Sequence, residues 1–130
     1  MKTDIRQRLY WRKRARAFQY AFAGWRHVLR SQPNAWIHAT VSVMVFALAF
    51  WLRLPGIEWA ILLVTIMVVW MAEFVNTALE AIVDMVMPEY HELAKTAKDV
   101  AAAAVLVGAI GAIIIGLIIM GPPLWSRLFG

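Results

Sequence analysis

The stretch IEWAILLVTIMVVWMAEFVNTALEAIVDMVM, residues 57–87, decides the fold. It exceeds the roughly 20 residues that a helix needs to cross a bilayer. Its second half places Glu73, Asn76, Glu80 and Asp84 at spacings of three, four and four. At about 100° per residue these side chains share one helix face. The sequence therefore predicts a membrane-spanning helix with a polar stripe along one side.

Two more apolar stretches flank this one, at about residues 35–54 and 97–121. Because the bilayer core offers the backbone no hydrogen-bond partners, helices are the expected form for all three. Leu54-Pro55-Gly56 predicts a tight turn between the first two spans, Pro88 is expected to end the second span, and Pro122-Pro123 the third. We expect an all-α integral membrane protein that forms one membrane domain over residues 1–130.

The composition excludes an ordinary soluble protein. Of the 130 residues, 62% are hydrophobic, and the mean hydropathy is +0.66. The pI is about 10.1, and nine of the 13 Lys and Arg residues lie in the first 30 positions. Basic residues that precede membrane spans indicate an anionic membrane surface rather than a nucleic acid.

The segment before the first span predicts a basic, amphipathic surface helix over about residues 5–31. Phe18, Phe22, Trp25 and Leu29 recur at helical spacing, and arginines line another face. The positive-inside rule then places the N-terminus of this multi-pass chain in the cytoplasm.

The three acids of this stripe, Glu73, Glu80 and Asp84, indicate function rather than helix packing. Each charge costs on the order of 3 kcal/mol in the membrane core, and like charges repel unless a cation or protonation relieves them. His38, in contrast, is expected to be a packed or hydrogen-bonded histidine. Small residues at spacing four on span three predict a packing face: Ala104, Gly108, Ala112 and Gly116.

The segment PEYHELAKTAKD, residues 88–99, follows the stripe at the expected membrane surface. Its charges could form an ordinary solvated helix start. Carboxylates that can hold Mg²⁺ beside Lys95 and Lys98, which can hold phosphate, are however the minimum set for phosphoryl transfer from ATP. No GxxxxGK[ST] motif is present, so such a nucleotide site would be built from the membrane helices themselves.

The joined motifs EFVNTALEAIVD and PEYHELAKTAKDVAAAAVL resemble the prokaryotic diacylglycerol kinase family, and more closely its undecaprenol kinase branch. The resemblance extends from FQYAFAGWR, residues 18–26, through FWL, residues 50–52, to the end of span three. It implies a homotrimer that uses Mg-ATP to phosphorylate a membrane lipid alcohol, with undecaprenol favoured and diacylglycerol next.

The resemblance also implies residue roles. Glu73 would be the catalytic base, and Glu80 would bind Mg²⁺. The lipid would contact Arg26, Trp51, Glu73 and Asn76. Mg-ATP would contact Lys13, Tyr20, Gln32, Glu80, Glu89, Tyr90, His91, Lys98 and Asp99.

Gln32 departs from the family pattern, because many members carry a second metal-binding Glu at this place. An amide oxygen can coordinate Mg²⁺ but brings no charge, so Gln32 is only a candidate metal ligand. Two other classes remain open from the sequence: a small ion-coupled transporter, which also carries intramembrane acids, and a non-catalytic membrane scaffold.

Overall fold

A computed structural model describes the backbone of residues 2–130 and the side chains of residue 7 and of residues 10–130. The chain forms four helices: α1 (Lys2–Ser31), α2 (Pro33–Leu52), α3 (Gly56–Val86) and α4 (Glu92–Phe129). The all-helical prediction is confirmed. The helices fall into two compact units, Met1–Pro33 and Asn34–Gly130, which are described separately below. The single membrane domain over residues 1–130 stays a prediction.

The first unit is α1. The aromatic side chains Phe18, Tyr20 and Phe22 are exposed along it, as are the basic residues between 12 and 30. At its end the Ser31 hydroxyl donates to the His27 carbonyl and the Gln32 N–H donates to the Val28 carbonyl. Whether this helix lies on a membrane surface stays a prediction.

The second unit contains three helices that are long and apolar enough to cross a membrane, with mean hydropathies of 1.8, 1.9 and 2.8 for α2, α3 and α4. The shortest, α2, has 20 residues and is about 30 Å long, which matches the hydrocarbon core of a bilayer. Most of the large apolar side chains on these helices are exposed. This exposed apolar surface is expected of an integral membrane protein, because lipid can cover it.

The turn between α2 and α3 falls one residue earlier than predicted. Arg53 has the left-handed φ of 56°; its N–H donates to the Phe50 carbonyl, and the Leu54 N–H donates to the Ala49 carbonyl. This pair of bonds is a Schellman motif, which normally places glycine in the left-handed position. Gly56 instead begins α3, and among the described residues no glycine has a positive φ.

A small apolar core lies at this turn. Ala49, Leu52, Leu54 and Leu62 are buried together, and side chains of α2, α3 and α4 pack around them. The contact between Leu54 and Ala49 is the hydrophobic closure that usually accompanies a Schellman motif. This core fixes the end of the bundle that lies farthest from the polar stripe.

Helix α4 packs along α3. A methyl group added at Gly108 would lie 3.8 Å from the Val69 Cγ2 atom and 3.9 Å from the Val69 Cα atom, which is ordinary contact. The predicted small-residue face therefore meets α3 within the chain at this point. Ala101 and Val105 are buried on the same helix.

The helix that contains the third span does not end at Pro122-Pro123, where the sequence predicts the end of that span. Helix α4 continues through both prolines to Phe129. Each proline removes one N–H donor and crowds the carbonyl four residues earlier, but membrane helices tolerate proline because neighbouring groups can satisfy the freed backbone carbonyls. Pro88, in contrast, lies just beyond α3, which ends at Val86 as expected.

Candidate active site

The centre of the polar stripe is a buried carboxylate on α3. Glu73 is 1% exposed and is the largest fully buried side chain among the described residues. Within that part of the chain neither carboxylate oxygen has a hydrogen-bond partner. Burying an acid without hydrogen bonds destabilises the fold. A structural role therefore explains Glu73 less well than it explains the other residues of the stripe.

Helix α2 brings His38 to this carboxylate. The His38 Nε2 atom lies 3.7 Å from the Glu73 Oε2 atom, and the His38 side chain is 15% exposed. The distance exceeds that of a hydrogen bond. The Nε2 atom is itself buried, with no hydrogen-bond partner among the described residues.

The next turns of the stripe lie beside Glu73. Asn76 and Thr77 are buried, at 6% and 7% exposure. The Asn76 Nδ2 atom donates to the Glu80 Oε1 atom at 3.1 Å, and the Thr77 hydroxyl donates to the Glu73 carbonyl at 2.9 Å. The Asn76 Oδ1 atom is buried and finds no hydrogen-bond partner in the described part of the chain. Unsatisfied polar atoms of Glu73 and Asn76 thus lie within one turn of α3, and the unsatisfied Nε2 atom of His38 lies beside Glu73 from α2.

A lysine of α4 meets the end of the stripe. The Lys98 ammonium donates to the Asp84 carboxylate at 2.8 Å. The predicted stripe of acids is therefore partly neutralised from a neighbouring helix, which the sequence of α3 alone could not indicate. Lys95 instead bonds to Asp99, one turn further along its own helix, at 2.6 Å.

The connection between α3 and α4 holds three of the predicted nucleotide-binding residues. Glu89 and Tyr90 are exposed. His91 is the N-cap of α4, where its Nδ1 atom accepts from the Leu93 N–H at 3.2 Å. His91 therefore has a structural role in starting α4, whatever ligand it also contacts.

Trp51 is the predicted substrate residue that lies apart from this cluster. It follows His38 by 13 positions on α2, about 20 Å along the helix. The Arg127 guanidinium covers its ring at 4.9 Å. The predicted residues of the first unit are Lys13, Tyr20 and Arg26, which are exposed, and Gln32, which is half-buried.

Glu80 fits Mg²⁺ as a single protein ligand. Its side chain is half-buried. No group of three or more His, Asp or Glu residues that could hold a metal occurs in the described part of the chain. Mg²⁺ commonly takes one or two carboxylates and completes its shell with waters and substrate phosphates. These residues therefore suit an ion that arrives with a nucleotide rather than a self-contained metal site.

An apolar groove leads away from the site. Helices α2, α3 and α4 line a groove of about 400 Å³ whose lining runs from His38 and Trp70 to Met120 and Leu124. The groove thus connects the neighbourhood of Glu73 with the apolar core at the other end of the bundle. An apolar chain would fit such a lining.

The second unit thus has three helices that are long and apolar enough to cross a membrane, and one of them carries a buried acid. These are the features of an integral membrane protein with a polar site inside its spans. A family model for prokaryotic diacylglycerol kinase matches residues 19–120. The chain belongs to this family, and the resemblance found in the sequence is confirmed.

Individual relatives carry two different names. A diacylglycerol kinase of Synechocystis sp. is 45% identical over 113 residues, which cover 86% of this chain and 65% of that protein, just under two thirds of its length. An undecaprenol kinase of Bacillus subtilis is 38% identical over 109 residues, 84% of this chain and 89% of that protein. A diacylglycerol kinase of Escherichia coli K12 is 33% identical over 112 residues, 86% and 88% respectively.

Sequence reasoning did not assign His38, Ser42 and Trp70 to the site. The only available signal was that polar groups in a membrane span need partners. Which partner they find depends on how α2 is rotated against α3, and helical periodicity in one segment carries no information on that rotation.

Proposed function

We propose that this protein is an ATP-dependent lipid kinase that transfers the γ-phosphate to the hydroxyl of a membrane lipid alcohol. The observation that carries the proposal is the Glu73 carboxylate, buried and without a hydrogen bond in the described part of the chain, inside a membrane helix of this family. A carboxylate in that state is available to accept a proton from a substrate.

In the proposed reaction Glu73 accepts the hydroxyl proton as the lipid O–H bond breaks. The lipid oxygen forms a bond to the γ-phosphorus, and the bond from that phosphorus to the β–γ bridging oxygen breaks, so that ADP leaves. Asn76, beside Glu73, orients the lipid hydroxyl. Lys98 exchanges its bond with Asp84 for one with the phosphates and offsets their growing charge.

ATP binds at the end of α3 and the start of α4. Glu89, Tyr90 and Asp99 are assigned to the nucleotide from the family pattern, as are Lys13 and Tyr20 of α1. Mg²⁺, held by Glu80 and by the phosphates with Gln32 as a candidate second ligand, would supply positive charge to the transferring group.

The polar end of the spans faces the cytoplasm, where ATP is found. The positive charges before α2 and in residues 88–99 support this orientation by the positive-inside rule, and a bacterial inner membrane is the proposed location. The proposed assembly is a homotrimer. Three thin spans leave the groove open, and neighbouring subunits would close it. Mass measurement in nanodiscs should find three subunits, and a fully active monomer would contradict the assembly.

Undecaprenol is the preferred acceptor in this proposal, and diacylglycerol is the second. The NAWIH entry to α2 and the AKDVAA run of α4 support the first, while relatives of both names support a lipid alcohol in general. Arg26 and Trp51 are further candidate lipid contacts from the family pattern.

The test is transfer of label from γ-labelled ATP to lipid by purified protein in mixed micelles, with undecaprenol and diacylglycerol measured side by side. We expect labelled lipid phosphate with both and a higher kcat/KM for undecaprenol. Equal or higher kcat/KM for diacylglycerol would reverse the substrate order. ATP hydrolysis without labelled lipid would contradict the proposal of a lipid kinase. Ion transport by the purified protein without labelled lipid would favour the alternative, an ion-coupled transporter.

A further inference from the structure

Two unsatisfied groups face each other across α2 and α3. The His38 Nε2 atom and both Glu73 carboxylate oxygens are buried and have no hydrogen-bond partner in the described part of the chain, yet Nε2 lies only 3.7 Å from Oε2. Closing the gap by less than 1 Å would satisfy both groups at once. Hydrogen bonds of catalytic groups are often long before substrate binds and tighten in the substrate complex.

The surroundings of His38 hold its ring near this carboxylate. The Ser42 hydroxyl lies one turn further along α2; it donates to the His38 carbonyl at 2.7 Å and accepts from the Trp70 indole N–H at 3.3 Å. The Trp70 ring in turn stands edge-on to the His38 ring, with 6.3 Å between their centres. Because Trp70 precedes Glu73 by three residues on α3, this contact sets the register of α2 against the stripe.

We propose that His38 is a positioning residue for Glu73. Its Nε2–H donates a hydrogen bond to Oε2 and so turns the other carboxylate oxygen, Oε1, toward the lipid hydroxyl. The inference rests on the proposed lipid kinase reaction, in which Glu73 accepts the hydroxyl proton. His38 does not itself touch the lipid, the nucleotide or the transferred phosphate.

A hydrogen-bond donor at the position of His38 would assist catalysis, because proton transfer to Glu73 requires a carboxylate oxygen that points to the lipid hydroxyl. A carboxylate without partners rotates about its terminal bond, so only part of its population presents an oxygen to the hydroxyl. At metal sites, removing an outer-shell group that orients a ligand costs about 10–100-fold in activity, and we expect a loss of similar size here. Substrate affinity should change little, because His38 makes no contact with substrate in this scheme.

The experiment compares His38→Leu with His38→Gln in the full-length protein in lipid micelles. Glutamine can place an amide N–H near the position of Nε2, whereas leucine removes the donor and keeps an apolar volume. Thr40→Val is the matched control on α2, since the Thr40 hydroxyl is exposed and donates to the carbonyl of Trp36 in its own helix.

We expect His38→Leu to lower kcat about 10–100-fold while the KM values for ATP and lipid stay within about threefold of the parent. His38→Gln should recover most of the lost kcat, and Thr40→Val should match the parent. The proposal is overturned if His38→Leu keeps the parental kcat, if the loss appears in KM alone, or if His38→Gln is as impaired as His38→Leu.

A spectroscopic arm keeps the proposal testable should His38→Leu fail to fold. The chain has three histidines, His27, His38 and His91, so ¹⁵N-histidine labelling gives few resonances, and His38→Gln assigns one of them. In Glu73→Gln the His38 Nε2 resonance should shift while those of His27 and His91 stay in place. An unmoved His38 resonance would overturn the contact. This measurement needs no turnover, so it separates failure of the positioning role from failure of the kinase proposal.

Discussion

Glu73→Gln should separate catalysis from stability. Glutamine keeps the length and shape of the side chain but removes the charge and the proton acceptor. The parental carboxylate is 1% exposed and has no hydrogen bond in the described part of the chain. An unsatisfied buried polar group costs about 1–3 kcal/mol, and a charged acid in a membrane helix costs about 3 kcal/mol. Replacing the acid with a neutral amide should therefore stabilise the fold by on the order of 1 kcal/mol.

The activity of the same variant should fall about 10²–10⁴-fold, the usual loss on removing a general base, with ATP binding unchanged. The assay pairs thermal unfolding in detergent with initial rates of lipid phosphorylation. Turnover within a few-fold of the parent would refute the role of Glu73 as base. A large drop in the unfolding temperature would refute the claim that the carboxylate is costly to the fold.

Three further changes test other parts of the account. Lys98→Met should reduce the rate of lipid phosphorylation far more than Lys95→Met, because Lys98 points to the α3 stripe at Asp84 while Lys95 bonds along its own helix; equal losses would argue against it. Gln32→Glu should lower the free Mg²⁺ needed for half-maximal rate, since a carboxylate offsets the ion's charge; an unchanged or higher midpoint removes residue 32 from the metal site. Arg53→Gly should raise the unfolding temperature, because a left-handed backbone costs a non-glycine residue about 1–2 kcal/mol, and lower stability would refute the strain.

The spans could be predicted from the sequence because membrane crossing depends on length and hydropathy within one segment. The polar stripe could be predicted for the same reason, since the spacing of Glu73, Asn76 and Glu80 sets their angles on α3. The family motifs, read together, were long enough to indicate the prokaryotic diacylglycerol kinases, and the family model confirmed them.

The sequence alone could not predict which side chains meet between helices. The approach of His38 to Glu73 and the bond from Lys98 to Asp84 both depend on the rotation and axial shift of one helix against another. The left-handed turn was missed because Arg53 occupies a position where glycine is usual, so Gly56 was expected to make the turn. The continuation of α4 beyond Pro122 was not predicted, because proline was expected to act as it does in the helices of soluble proteins.

The central claim is that the buried site on α3 phosphorylates a lipid alcohol. The most direct measurement follows, in one reaction with γ-labelled ATP and undecaprenol, both the ADP released and the labelled lipid phosphate formed, for the parent and for Glu73→Gln. The account predicts equal amounts of the two products for the parent and near loss of both for the variant. ADP release without labelled lipid, or full labelling by Glu73→Gln, would contradict it.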